Sequence, residues 1–212
     1  MYNVAGFVTA VIAAACLAAH AVAQSGVPAP NPVPAATLDR AYTPLDLDKC
    51  KHTKGREVED YGSWRCTGYN GMPVRVSAGD QRTYVSFGPN AAKEVAAGET
   101  LASFNSEGKT IEWRIERGAN GKPRAFAAVL RWNTTVTGND DKQVRGQVLV
   151  VTRLGPGGVC HIGYVDGRAN ANANELAVKL ADERARAFQC GKDKPVIVGE
   201  KGPAFSGPYK KD

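Results

Sequence analysis

The sequence contains no C-x-x-C pair, no H-x-x-x-H pair and no G-x-S-x-G elbow, and histidine occurs only 3 times in 212 residues. The first two absences remove the usual ligand spacings of a zinc site, and the third removes the local context of a serine hydrolase. Asn139-Asp140-Asp141 lacks the ligand spacing of an EF-hand loop, so it reads as a solvated turn. Gly155-Pro156-Gly157-Gly158 is glycine-rich but leads into a strand-like run instead of a helix N-terminus, which excludes a phosphate-binding loop. No motif implies a cofactor or a resident metal.

Charge is also missing where most chains have it. Residues 1–23 carry no charged side chain and are dominated from Val4 by Ala, Val, Ile, Leu and Phe. They end in Ala21-Val22-Ala23, an A-x-A pattern, so a signal peptide cut between Ala23 and Gln24 is expected. An uncleaved anchor is the weaker alternative, because alanine supplies little transfer energy and Thr9 and His20 interrupt the run. Residues 24–41 alternate Pro28, Pro30, Pro32 and Pro34 with small residues, which favours an extended flexible linker with nothing to bury.

Lys+Arg 27 against Asp+Glu 21 gives a net charge of +6, with the basic residues scattered and the densest group, Lys49, Lys51, Lys54 and Arg56, short. Such an excess draws a protein toward acidic surfaces but is too small to imply nucleic acid. The expected partner is an envelope protein or an anionic glycan, with membrane contact only transient, through the signal peptide.

Cys16 leaves with the leader, so the exported chain keeps Cys50, Cys66, Cys160 and Cys190. An even set in an oxidising compartment implies two disulfides. Sequence leaves all three connectivities open. Cys50 with Cys66 and Cys160 with Cys190 is the expected one, because each closes a local loop. Zinc held by Cys50 and His52 with Cys66, or with Cys160 and His161, is disfavoured, since adjacent Cys160 and His161 point to opposite faces of a strand.

The remaining residues, 42–191, read as one α+β domain. Residues 45–50 suit an edge strand or turn, and residues 51–60 a surface loop. Trp64 and Cys66 alternate with Arg65 and Thr67, Asn70-Gly71 is a type I′ turn signal, and Val74, Val76 and Ala78 share one face of the return strand. Thr83, Val85 and Phe87 continue the meander, and residues 91–104 are ambiguous between a short helix and loop. Ile111, Trp113 and Ile115 point inward against Glu112, Arg114 and Glu116, and Phe126, Ala128, Leu130 and Trp132 share one face of the next strand. Residues 133–145 are polar and read as a loop, in which Asn133-Thr134-Thr135 matches the N-x-[ST] acceptor pattern. Residues 147–166 form an apolar hairpin. Residues 175–189 have helix composition, with Leu176, Ala177, Leu180, Ala181 and Phe188 on one stripe and Arg184 inside the apolar arc. Residues 192–212 are expected to be a flexible tail. The whole is an antiparallel meander of six to seven strands covered by one C-terminal helix and locked by two disulfides.

Leu45-Asp46-Leu47-Asp48-Lys49-Cys50, Gly62-Ser63-Trp64-Arg65-Cys66-Thr67-Gly68, Leu149-Val150-Val151-Thr152-Arg153-Leu154 and Cys160-His161-Ile162-Gly163-Tyr164-Val165-Asp166 together resemble an uncharacterised family of exported bacterial proteins. That resemblance implies a periplasmic or secreted location and no particular activity. The Trp64-Arg65-Cys66-Thr67-Gly68 strand is also similar to small periplasmic lysozyme inhibitors, whose Ser-Gly-x-x-Tyr loop has no counterpart here. The expected function is non-catalytic binding in the envelope. The alternative, from another class, is an envelope hydrolase using His161 with a carboxylate such as Asp166.

Overall fold

In the computed structural model, residues 37–55, 60–117, 121–138 and 141–210 are described. The expected leader, its cleavage position between Ala23 and Gln24, residues 24–36 and the tips at Asn120 and Asn139-Asp140 lie outside them. The elements are β1 (Thr37–Pro44), β2 (Lys51–Thr53), β3 (Asp60–Thr67), β4 (Pro73–Gly79), β5 (Arg82–Phe87), β6 (Glu99–Leu101), β7 (Phe104–Arg117), β8 (Pro123–Thr137), β9 (Gln143–Arg153), β10 (Cys160–Asp166), α1 (Ala173–Arg184), β11 (Val196–Val198) and β12 (Pro208–Lys210).

The class is α+β, but a single antiparallel meander is not what the strands make. Six of them order as β1-β7-β8-β9-β10-β11, four as β2-β3-β4-β5, and β12 pairs with β6. All neighbours are antiparallel except β10 and β11, which run parallel. The four-stranded sheet is inserted in the chain between β1 and β7. Its apolar face, Val74, Val76, Val85 and Phe87, packs on Ile111, Trp113, Leu130 and Trp132 of the large sheet. Alternation reports which face of a strand is apolar and not which strands share an edge, so two stacked sheets and one long meander give the same pattern.

The large sheet is buried on both faces over part of its length. On the face away from the small sheet, Phe126, Val129, Leu149, Val151 and Ile162 meet Ala177, Leu180 and Ala181 of α1. Two expectations about facing change accordingly. Arg114 is only 7% exposed because its strand face lies under α1, where it makes a two-pronged ion pair with Asp182 at 2.8 and 2.9 Å. Phe126 leaves the Ala128, Leu130 and Trp132 face because Arg114 pairs with Ala127 while Ile115 pairs with Ala125. The extra residue is a β-bulge, and it turns Phe126 toward the helix.

Turn chemistry follows the sequence more closely. Asn70 and Gly71 take positive φ of 49° and 77° between β3 and β4. Asp80 and Gln81 do the same between β4 and β5, at 48° and 56°. Residues 91–98 form two short 3-10 turns, Ala91–Lys93 and Val95–Gly98. The helix begins at Ala173 and ends at Arg184, earlier at both ends than expected, and Arg184 lies over the Phe188 ring at 5.7 Å.

Both disulfides join the expected partners, Cys50 with Cys66 and Cys160 with Cys190. The first fastens the turn Leu47–Lys49 to β3, and the second ties β10 to the chain just beyond α1.

The segments expected to be linker and tail carry structure. Thr37 to Ala41 belong to β1, paired with Arg117 to Trp113. Past Cys190, β11 extends the large sheet, Gly202 donates its N–H to Asp166 Oδ2 at 2.9 Å, and Ser206 Oγ accepts the Ser103 N–H at 2.9 Å. Short polar stretches look loose in sequence, whereas here their backbone groups find partners on the sheets. Lys51–Thr53, expected as loop, forms the edge strand β2.

Candidate functional site

The histidine singled out by sequence lies in the core. His161 is 1% exposed, with Nδ1 at 3.0 Å from the Tyr164 hydroxyl and its ring edge-on to Trp132 at 5.8 Å. Burial pushes its pKa down to about 3, so the ring is neutral at physiological pH. Asp166 is engaged elsewhere: Oδ1 accepts the N–H groups of Arg168 and Ala169, and Oδ2 that of Gly202. No hydrogen bond joins His161 to Asp166 among the described residues.

The carboxylate that does approach β10 is Glu99, whose Oε2 accepts the His161 backbone N–H at 2.7 Å. Burial holds the Glu99 carboxyl above its ordinary range, and burial together with Glu99 pushes the Tyr164 phenol up. The neutral imidazole and the protonated phenol lie in the core, with the partly buried Glu99 carboxyl beside them. His52, placed in a loop by sequence, stacks on Trp64 at 4.6 Å on the small sheet. The four cysteines are consumed in the disulfides, which leaves them no thiolate to ligate a metal or attack a substrate.

A concave surface lies elsewhere among the described residues, and it follows from strand length. β7, β8 and β9 run for 14, 15 and 11 residues, whereas α1 has 12 residues and a rise of about 1.5 Å per residue. A 12-residue helix spans about 18 Å, and a 15-residue strand about 50 Å. One end of the helix-side face is therefore left uncovered. Residues 133–137 and 143–147, expected as loop, are this uncovered end of the β8-β9 ladder, with Asn133 paired to Gln147 and Thr135 to Arg145.

Two clefts lie along it. The first, of about 690 Å³, runs between the start of α1 and the β1-β7 edge, with Arg40, Tyr42, Lys109 and Arg131 around Glu112. The second, of about 550 Å³, continues past Phe104 and Arg145 to Arg168, and Asn133 lines both. Tyr42 is 55% and Phe104 42% exposed, the kind of flat apolar surface on which a ring can stack.

Arg82, Arg114, Arg124 and Arg186 pair with Asp80, Asp182 or Glu116. Arg40, Lys109, Arg145 and Arg168, all exposed, form no ion pair among the described residues. Arg131 is held only by neutral groups, donating to Gln147 Oε1 at 3.1 Å and Asn174 Oδ1 at 2.8 Å. Gln147 in turn donates to Asn133 Oδ1 at 3.4 Å, so the guanidinium is oriented by neutral partners in the cleft that Glu112 and Glu175 also line. On the floor, Glu112 Oε1 is buried with no donor among the described residues. An unpaired buried carboxylate oxygen is costly.

Sequence reasoning missed this site because its residues come from β1, β7, β8, β9 and the turn after β10, with no shared motif. One signal was present: Thr134-Thr135-Val136-Thr137 and Val144 are β-branched, which favours a ladder over a loop. No family model, curated protein or solved structure matches the chain, so the groove's own chemistry has to carry the functional reading.

Proposed function

We propose that this is an exported, disulfide-locked binding domain, without catalytic machinery, that holds an anionic ligand in the cleft between α1 and the β1-β7 edge. The single observation behind this is that Arg40, Lys109 and Arg131 converge on one cleft with no carboxylate paired to any of them. Arg40, Lys109 and Arg131 outnumber the two carboxylates of the cleft, Glu112 and Glu175, and the residual positive charge is complementary to an anion. Export is supported by the charge-free leader with its A-x-A site and by two disulfides, which persist in oxidising compartments. No helix among the described residues is long and apolar enough to cross a membrane.

The ligand expected at this cleft is an envelope glycan bearing carboxylates. Titration of the disulfide-bonded protein with a short acidic oligosaccharide, digalacturonate, tests it by calorimetry. Binding should weaken as salt rises, and the Arg40→Ala/Lys109→Ala double variant should bind about tenfold more weakly, the scale of one charge-assisted hydrogen bond. Both positions are exposed, so the variant folds normally. Salt-independent binding, or equal affinity of the double variant, contradicts the assignment.

A further inference from the structure

We infer that the second cleft is a further subsite of the same groove, so that the ligand is a linear, carboxylate-bearing polysaccharide lying across both clefts along β8; this rests on the reading of the first cleft given above.

Continuity is the first ground. Asn133 lines both clefts, and the chain of Arg131, Gln147 and Asn133 runs through the junction. The β8 residues lining the groove extend from Val129 to Thr135, six steps along the strand, or roughly 20 Å. That length suits an extended chain. A single sugar would fill one end.

Charge density is the second ground. The groove presents Arg40, Lys109, Arg131, Arg145 and Arg168 against Glu112 and Glu175. The excess of +3 over roughly 20 Å favours an anionic chain over a neutral one.

The third ground is the neutral lining. Ser106, Asn133, Thr135 and Gln147 offer both donors and acceptors. Polyhydroxyl rings need both. Tyr42 in the first cleft and Phe104 in the second are the exposed aromatics against which sugar faces can pack. Phe104 is held from one side by the Arg82 guanidinium, 5.7 Å from its ring centre.

The test compares galacturonate oligomers of two and six units on the intact protein, with a neutral maltohexaose and a single-stranded DNA of similar length as the other arms. The hexamer should bind at least tenfold more tightly than the dimer. An Arg145→Ala/Arg168→Ala variant should lose that gain and leave dimer binding unchanged, since both residues line only the second cleft. A dimer that binds as tightly as the hexamer, and is weakened by Arg40→Ala/Lys109→Ala, overturns the second subsite and leaves the first cleft's reading standing. No binding by either oligomer overturns both. Tighter binding of maltohexaose or of DNA than of hexagalacturonate overturns the ligand class.

Discussion

Acidification should destabilise this fold through one buried imidazole. His161 is closed into the core beside Trp132 and Tyr164, and its pKa falls from the ordinary 6.5 to about 3. In the unfolded chain the ring takes up a proton below about pH 6.5, while in the folded chain it stays neutral until about pH 3. Across that window the unfolded state binds more protons, so the contribution is fully present above about pH 6.5 and is lost as pH falls. Linkage puts the loss between pH 7 and pH 5 at about 2 kcal/mol, approaching about 1.4 kcal/mol for each further unit. Glu99 acts in the opposite sense, since burial raises its carboxyl and so favours its protonation in the folded state. The two are separated by a variant. Urea unfolding at pH 7 and at pH 5, for the natural protein and for His161→Leu, gives two differences free of the variant's own packing cost. The natural protein should lose about 2 kcal/mol more than His161→Leu over this interval. Equal losses would show that His161 titrates normally in the fold, and would refute its placement in a closed core.

Three further outcomes follow from packing and cross-links. Replacing Cys160 and Cys190 by Ala should cost about 3 to 4 kcal/mol in denaturant unfolding, slightly more than losing Cys50 with Cys66, because the loop of 30 residues exceeds that of 16. Asp182→Ala should cost about 3 kcal/mol, since it strands the Arg114 guanidinium beneath α1; the Arg114→Met/Asp182→Leu pair should recover most of that, and no recovery would mean that the stranded guanidinium is not the source of the cost. Asn105→Ala should cost about 2 kcal/mol by the same assay, because its side chain accepts from the Thr83 N–H and donates to the carbonyls of Leu101 and Ser103. A loss under about 0.5 kcal/mol would place those groups in water instead.

What sequence made legible was local. The β3-β4 hairpin follows from alternation around Trp64 and Cys66 and from the left-handed preference of Asn70-Gly71. The α1 stripe follows from the 3.6-residue spacing of Ala177, Leu180 and Ala181. The two disulfides follow from loop closure between neighbours in the chain. Stacking of two sheets was not legible, because an apolar strand face does not name what covers it. Nor was the bulge at Phe126, since a single inserted residue leaves the sequence alternation intact while reversing the side chain's direction.

The groove was hidden for a related reason. Polar residues 133–137 look like loop because a strand is expected to show an apolar face, and here the buried face is carried by Thr134 while the helix-side face is uncovered, the helix being shorter than the strands it covers. Exposure arises from a mismatch of element lengths, a property of the assembled layers. The histidine at 161 drew attention as chemistry in the sequence, and in the fold it is a packed neutral ring. The unpaired cations were scattered across the chain, and only the sheet register brings Arg131, Arg145 and Arg40 to one face.

The most direct measurement is a backbone amide NMR titration of the disulfide-bonded protein with hexagalacturonate. Signals of Arg40, Lys109, Arg131, Asn133 and Arg145 should move together on one binding curve, while those of β3 and β4 on the opposite sheet stay fixed. Movement centred on residues outside the groove, or no movement at saturating oligomer, would contradict the assignment of the uncovered β7-β8-β9 face as the binding surface.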